Sequence, residues 1–160
     1  MNTDTQYTIL PSPIGDLMLA GHGRRLTLVE MLDSAPQPPA GWTRDDRALA
    51  DARGQLAAYF AGELRDFDLE LDPVGTPFDR SVWEAVSAIP YGTTTTYREL
   101  AAHIGRPTAV RAVGTANGRN PIPIVIPCHR VIGTDGTLRG YGGGLDRKRR
   151  LLELEARTGY

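Results

Sequence analysis

Residues 120–133 have the sequence NPIPIVIPCHRVIG, an apolar run that ends in one cysteine and one histidine. Pro121, Pro123 and Pro127 each fix a backbone dihedral and remove an amide donor, so the approach to Cys128 is predicted to be rigid and non-helical. Such a loop holds a nucleophile still. The alternative is that Cys128, like many lone cysteines, acts as a small buried apolar side chain.

The residues after Cys128 favour the nucleophile. His129 and Arg130 make burial in a purely apolar core unfavourable. Cationic neighbours are predicted to stabilise the thiolate and lower the pKa of the thiol from its reference of about 8.5. Adjacent side chains point apart, so the imidazole is expected to reach the sulfur through a water molecule, with a third group orienting the ring.

Glu155 is the candidate for that third group. On the predicted C-terminal helix it shares a face with Leu145 and Leu152, which points its carboxylate toward the interior. A rim position with the carboxylate turned to solvent is the alternative. The same helix begins with the basic run RKRR at 147–150, which is either a phosphate anchor or a solvated face.

A helix-turn-helix outline precedes the cysteine loop. Thr96 and Glu99 have the capping-box spacing that opens a short helix. After a turn at Gly105, a second helix is predicted to begin at Pro107, where proline suits the first helical position. One face of this helix carries Ala109, Ala112, Val113 and Ala116, and another carries Arg111, Thr115 and Arg119. Small side chains permit close approach to a DNA groove, and an Ala-rich packing helix is the alternative.

Residues 1–72 are predicted to form a small α+β unit. Strands are expected at 7–10, 17–20 and 26–32, followed by a Pro-rich loop, a helix from about Arg44 to Ala61 and a strand at 67–71. The segment 72–77 is the linker between domains 1–75 and 76–160. After it, a helix is expected over 78–89.

The two predicted domains differ in net charge. Residues 1–75 carry 6 basic and 12 acidic side chains, a net charge of −6, whereas residues 76–160 carry 12 and 7, a net charge of +5. Only the second domain is therefore predicted to bind phosphate. Lys148 is the sole lysine; the arginine excess suits bidentate phosphate contacts or reflects the base composition of the source genome.

The composition argues against several other classes of protein. No apolar run approaches the roughly 18 residues that span a bilayer, and no secretory signal is recognisable at the N-terminus, so a cytoplasmic, nucleoid-associated location is predicted. One cysteine and three histidines argue against a disulfide framework and a cysteine zinc site, so no metal and no cofactor are expected. The segment GYGGG at 140–144 lacks the ending of a phosphate-binding loop, so a flexible lid is predicted there and not a phosphate site.

The motifs PCHRV at 127–131, NP at 120–121 and YGGG at 141–144 resemble the signature of the O6-alkylguanine-DNA alkyltransferases, also called methylated-DNA–protein-cysteine methyltransferases. SPIG at 12–15 and RAVG at 111–114 follow in family order, so the resemblance covers nearly the whole chain. It implies an α+β fold. A small N-terminal sheet-plus-helix domain would be similar to ribonuclease H, and a mostly helical, winged-helix-like C-terminal domain would bind the DNA minor groove.

The resemblance also implies roles for the catalytic residues. Cys128 would take the alkyl group from O6 of a flipped guanine in double-stranded DNA, in a single irreversible turnover. His129 and Glu155, with a water molecule, would deprotonate the thiol. Tyr97 would donate a proton to N3 of the leaving guanine, and Asn120 would brace the cysteine loop.

Further residues are implied for the DNA and for the base. Arg111 would fill the stack where the flipped nucleotide was. The implied DNA-binding residues are Arg111, Ala112, Gly114, Thr115 and Arg119. The carbonyls of Cys128 and Val131 would accept the guanine amino group, and Tyr141 and Gly142 would cover the base. The family often has serine where this chain has Gly142, so only a backbone amide could contact O6 there. The N-terminal zinc site of some relatives lacks its usual cysteine ligands in this chain.

The residues alone leave two other function classes open. A cysteine hydrolase would use Cys128, His129 and Glu155 on an acyl substrate, and a noncatalytic DNA-binding regulator would not need Cys128. Each explains only part of the set formed by the rigid cysteine loop, the basic second half and the helix-turn-helix outline. The sequence also leaves open the preference among methyl, larger alkyl and O4-alkylthymine lesions, cooperativity on DNA, oligomeric state and regulation.

Overall fold

The structure, a computed structural model, describes residues 4–136, 141 and 143–159 and divides into two units, Met1–Val74 and Gly75–Tyr160. The predicted α+β class is confirmed, since the first unit is built on a sheet and the second is mostly helical. Within the described part of the chain, no helix is both long and apolar enough to cross a membrane.

A five-stranded sheet forms the first unit. Its centre is the antiparallel meander β1 (Gln6–Leu10), β2 (Leu17–His22) and β3 (Arg25–Met31), as predicted. Two short strands, β4 (Thr43–Arg44) and β5 (Glu70–Leu71), pair in parallel with β1 and β3 and give the order β4-β1-β2-β3-β5. Helix α1 (Ala50–Phe60) buries Leu56 and Tyr59 completely.

The predicted start of α1 at Arg44 is wrong. Arg44 lies in β4, and the helix begins six residues later at Ala50. Asp45 explains the difference, because its carboxylate accepts the amide of Arg47 and its carbonyl accepts the amide of Ala48. Side-chain bonds of this kind offer the backbone an alternative to the helix. The strand predicted at 67–71 is also shorter, since only Glu70–Leu71 pairs.

Within the described residues, the second unit contains four helices and a short two-stranded sheet. The helices are α2 (Pro77–Ser87), α3 (Tyr97–His103), α4 (Val110–Gly118) and α5 (Leu145–Gly159), and a single 3-10 turn spans Cys128–Arg130. Strands β6 (Thr95–Thr96) and β7 (Val131–Ile132) pair in parallel, a contact that the sequence did not predict. This pairing places the residues after the cysteine beside the start of α3.

The helix-turn-helix outline is present, with one correction. The capping box of Thr96 and Glu99 forms at the start of α3, and Gly105 adopts the left-handed conformation (φ 77°) that suits glycine in a turn. Pro107 is not the first helical residue, because it lies in a turn and α4 begins at Val110.

Buried contacts of α4 fix its position against α2. Val113 and Ala116 are fully buried, which fits the packing alternative for this face, and the indole Nε1 of Trp83 donates to the Ala116 carbonyl at 2.9 Å. Ala112, which the sequence places on the same face, is exposed. Asn117 takes a buried place instead, at 4% exposure, because the helix turns its Val113–Asn117 side toward the cysteine loop.

Candidate active site

The loop that carries Cys128 is held by its own backbone and by the Asn120 side chain. Asn120 donates from Nδ2 to the Ile126 carbonyl at 2.7 Å and accepts the Ile122 amide at Oδ1 at 2.9 Å. Ile124 has a positive φ of 76° and is nevertheless fully buried. A β-branched residue keeps this strained conformation only where the surroundings determine it. The approach to Cys128 is therefore non-helical and tightly constrained, although Cys128 itself begins the 3-10 turn.

Burial controls the ionisation of the thiol. Cys128 is 5% exposed, and this burial raises the pKa of its thiol above the ordinary value, although Asn120 and Lys148 act in the opposite direction. The predicted lowering of the pKa is wrong in direction, because the desolvation of a thiolate outweighs the neighbouring cation. Cys128 is thus a protonated thiol that needs a base at the moment of reaction.

A buried carboxylate, imidazole and guanidinium lie beside the cysteine. Glu155 on α5 is 1% exposed, so the rim alternative does not hold. Its Oε2 lies 2.7 Å from Nε2 of His129, which is fully buried. Arg130 donates from Nε and Nη2 to the two Glu155 oxygens at 2.8 and 2.9 Å and from Nη1 to the Ile89 carbonyl at 2.6 Å. Two chain neighbours of the cysteine therefore share one carboxylate.

The charge states of this cluster follow from its contacts. Burial by itself would raise the pKa of Glu155, but hydrogen bonds from His129 and Arg130 lower it to about 2. Burial lowers the pKa of His129 despite its bond to Glu155. At neutral pH, Glu155 is charged and His129 is a neutral imidazole. Since a carboxylate only accepts, Nε2 carries the ring proton, and Nδ1 is left as the basic nitrogen.

Lys148 is buried next to this cluster. It is fully buried, and its Nζ donates to the Val131 carbonyl at 2.7 Å and lies 5.8 Å from the centroid of the Tyr97 ring. Burial lowers the pKa of Lys148 to about 8. Neither alternative predicted for the run 147–150 fits Lys148, because its side chain is fully buried and its amine is bonded to a backbone carbonyl.

An open cavity of about 890 Å³ adjoins the cluster. Six residues that bear on the argument line it: Tyr97, Arg111, Gly114, Thr115, Asn117 and Tyr141. The Tyr141 hydroxyl is shielded from solvent and lies near enough to the Cys128 thiol for each group to affect the pKa of the other. The cavity and the thiol are therefore neighbours, with α4 forming one wall.

Known proteins share both the sequence and this arrangement. Residues 77–157 match the 6-O-methylguanine DNA methyltransferase, DNA binding domain, and residues 5–73 match its ribonuclease-like domain. The methylated-DNA–protein-cysteine methyltransferase of Mycolicibacterium paratuberculosis is 58% identical over 153 residues, which cover 95% of this chain and 93% of the relative.

The chain belongs to the 6-O-methylguanine DNA methyltransferase family.

Solved structures agree with this membership. The crystal structure of Mycobacterium tuberculosis O6-methylguanine methyltransferase has a TM-score of 0.91 and 55% identity, over 98% of this chain and 95% of its own. Mycobacterium tuberculosis OGT in complex with DNA has a TM-score of 0.90 and 56% identity, over 96% and 94% of the two chains. The resemblance inferred from the motifs is confirmed.

The methyltransferase site unites residues that are distant in sequence. Cys128, His129 and Glu155 lie together, and Asn120 spans the cysteine loop. Tyr97 and Tyr141 lie at the adjoining cavity. Gly142, predicted for the base pocket, lies outside the described residues. Val131, also predicted for the base pocket, is fully buried, and its carbonyl accepts a bond from Lys148.

The predicted DNA-binding residues divide into two groups. Arg111 and Thr115 are exposed at the cavity, where the Thr115 hydroxyl donates to the Arg111 carbonyl at 3.1 Å, and Gly114 lies next to the Tyr97 ring. Ala112 is exposed on the same helix. Arg119 is different, because its guanidinium forms an ion pair with the buried carboxylate of Asp79 on α2.

Sequence reasoning missed three site residues. The sequence indicates Arg130 only as a positive neighbour of the cysteine, whereas in the structure it binds Glu155. Lys148 was grouped with its exposed neighbours, although its position as the sole lysine of an arginine-rich chain was a signal. Asn117 carried no signal, because its contact with Cys128 joins separate segments. Within the described ranges, no three His, Cys, Asp or Glu side chains are grouped as metal ligands.

Proposed function

We propose that this chain repairs DNA by a single, irreversible transfer of the alkyl group from O6 of a flipped guanine to the sulfur of Cys128. The observation that carries the proposal is the buried, protonated thiol of Cys128 beside a neutral His129 whose Nε2 is bonded to Glu155. Damaged double-stranded DNA is the partner, and the place of action is the cytoplasmic nucleoid.

The base acts only when the substrate is present. His129 Nδ1 has no hydrogen-bond partner among the described residues and takes the thiol proton through a bridging water. Glu155 stabilises the imidazolium that results, and Arg130 keeps Glu155 charged. The Cys128 thiol is therefore deprotonated only when the alkylated base lies next to it and His129 can accept the proton.

The alkyl transfer is a single substitution at the alkyl carbon. The sulfur forms a bond to the alkyl carbon while the bond from that carbon to O6 breaks, and the electron pair passes to the guanine ring. Tyr97, at the cavity, donates a proton to N3 of the leaving base. The product is a thioether, which water does not cleave, so each protein molecule reacts once.

DNA is bound through the second unit. Its net charge of +5 attracts phosphate, and α4 exposes Arg111 and Thr115 beside the cavity. Arg111 takes the place of the extruded nucleotide, since an inserted side chain offsets part of the few kcal/mol lost on flipping. Ala112 and Gly114 allow the helix to approach the groove closely.

Stoichiometry tests the proposal. Incubation with excess duplex containing O6-methylguanine should add one methyl group to each protein molecule and then stop, as measured by intact-protein mass and by demethylated DNA. A number of demethylated lesions well above the number of protein molecules would instead indicate a hydrolase. Binding without transfer would indicate a regulator.

The Arg111→Ala substitution should impair nucleotide flipping and leave the alkyl transfer itself unchanged. We expect repair of duplex O6-methylguanine to slow at least about tenfold, because roughly 1.4 kcal/mol of lost flipping energy has that effect. Reaction with free O6-benzylguanine needs no flipping and should stay within about twofold. Single-turnover rates on both substrates measure the difference.

Arg80→Ala is the matched control, since Arg80 is an exposed arginine on α2 and its removal takes away the same charge. It should leave both rates nearly unchanged. Equal slowing of both reactions by Arg111→Ala would contradict a flipping role and point to a defect at the thiol.

A further inference from the structure

The turn after α2 contacts the buried charge pair of Arg130 and Glu155 through three groups. The Ile89 carbonyl accepts Nη1 of Arg130 at 2.6 Å. The ring centroid of Tyr91 lies 5.6 Å from the guanidinium carbon of Arg130. The Gly92 amide donates to Oε1 of Glu155 at 3.4 Å. One short segment therefore touches both members of the pair, although it is distant from each of them in sequence.

The surroundings of Arg130 suit a cation. Helix α2 ends at Ser87, and the carbonyls at its end form the negative pole of the helix dipole, where a guanidinium is stabilised. The face of a tyrosine ring is also negative, and it attracts a cation within about 6 Å more strongly where water is excluded. Arg130 is 5% exposed, so the Tyr91 ring acts on a cation that has little access to water.

The carboxylate of Glu155 is held on both oxygens. Gly92 has a φ of 79°, in the left-handed region that favours glycine, and in this conformation its amide faces Oε1. Arg130 Nε donates to the same oxygen, and Oε2 meets His129 Nε2 and Arg130 Nη2. These contacts fix the plane of the carboxylate, and with it the direction from which His129 is held.

Tyr91 has no place yet in the proposed reaction. It is half-buried, and it is not among the described residues that line the cavity beside the thiol. Resting on the proposed function, we propose that Tyr91 is a positioning residue for the alkyl transfer, whose ring holds the Arg130 guanidinium against Glu155. Through this carboxylate, Tyr91 sets the orientation and the basicity of His129 without touching the substrate.

The basicity of His129 depends on the charges around it. Burial lowers its pKa, the carboxylate of Glu155 raises it, and the charges of Arg130 and Lys148 lower it. Without the Tyr91 ring, water reaches the guanidinium and loosens its hold on Glu155. Burial and the charge of Arg130 then depress the pKa of His129 less, so this pKa rises.

The pH dependence of the reaction tests the role of Tyr91. His129 accepts the thiol proton only when it is neutral, so the rate falls as the pH drops through its pKa. In Tyr91→Leu, this acid limb of the single-turnover rate, measured at saturating free O6-benzylguanine, should move upward by about one pH unit. The rate on that limb is then about tenfold below that of the wild-type protein, and the difference shrinks at higher pH.

Tyr91→Phe keeps the ring and should restore the acid limb of the wild-type protein. Slowing of Tyr91→Leu by the same factor at every pH is the result of a merely structural role and would overturn the inference. An equal shift in Tyr91→Phe would also overturn it, because the effect would then belong to the hydroxyl.

Phe78→Leu is the matched control. The Phe78 ring lies 5.8 Å from the guanidinium carbon of Arg106, in the same unit but at the opposite end of α2. Arg106 is exposed, and loss of this ring should leave the acid limb in place. A shift as large as that of Tyr91→Leu would mean that any lost ring contact on α2 has this effect, which would overturn the specific role of Tyr91.

A fluorinated ring replaces the leucine variant if that variant does not fold. Trifluorinated phenylalanine at position 91 has nearly the shape of phenylalanine, but its fluorines withdraw the negative charge from the ring face. We expect the acid limb to move upward relative to Tyr91→Phe. An unchanged limb would overturn the inference.

The two proposals fail in different ways. Absence of methyl transfer from an O6-methylguanine duplex to the wild-type protein overturns the proposed function and this inference with it. Efficient transfer by the wild-type protein, with the same acid limb in Tyr91→Leu, overturns only the role of Tyr91.

Discussion

The Cys128→Ser variant is expected to transfer no methyl group from O6-methylguanine DNA, even after prolonged incubation. Serine has nearly the same shape, so the fold and the cysteine loop should persist. A hydroxyl is far less acidic than a thiol and a much weaker nucleophile, and a neutral His129 cannot activate it sufficiently. Intact-protein mass should show the unmodified variant where the wild-type protein carries one methyl group.

Binding provides the control for this variant. The residues proposed to contact DNA lie on α4, so Cys128→Ser should bind a lesion-containing duplex as well as the wild-type protein does. Its thermal unfolding should also match. Methyl transfer to the serine variant would place the acceptor elsewhere in the chain and contradict the proposed reaction.

Glu155→Gln should damage both stability and chemistry. It removes the charge that pairs with Arg130, which is 5% exposed, and breaking a buried pair from one side costs about 3–5 kcal/mol of unfolding free energy. It also removes the carboxylate that orients His129, so the single-turnover rate should fall by about 10²-fold or more. Denaturant unfolding and rate measurements check the two effects.

The contribution of Glu155 to stability should depend on pH. The pKa of Glu155 is about 2 in the folded protein, below its unfolded value of about 4.3. Its contribution is therefore fully present above about pH 4.3 and is lost as the pH falls toward 2. The difference in unfolding free energy between wild type and Glu155→Gln should shrink over that interval.

Glu153→Gln is the matched control for Glu155→Gln. Glu153 lies two residues away on the same helix and is exposed, so its substitution removes the same charge on the solvent side. It should change stability and rate little. Similar losses in both variants would indicate a general effect of helix charge and would contradict the buried role of Glu155.

The local features of the site could be predicted from the sequence. The capping box at Thr96 and Glu99, the turn at Gly105 and the constrained loop before Cys128 depend on residues that are neighbours in the chain, so their chemistry is visible in the sequence itself. The motifs around Cys128 also identified the family. Where two local signals compete, as at Asp45 before α1, the helix boundary predicted from the sequence is wrong.

Only the tertiary structure determines which side chains contact one another and which of the buried groups are charged. Arg119 pairs with Asp79 across 40 positions, Lys148 reaches Val131 across 17 and Asn117 reaches Cys128 across 11. Sequence spacing does not encode such contacts, because they depend on how the helices and the β6–β7 pair pack. The pKa of Cys128 shows the same limit. The sequence shows His129 and Arg130 next to it, but the burial that raises its pKa exists only in the folded chain, as does the approach of Lys148, whose charge opposes that effect.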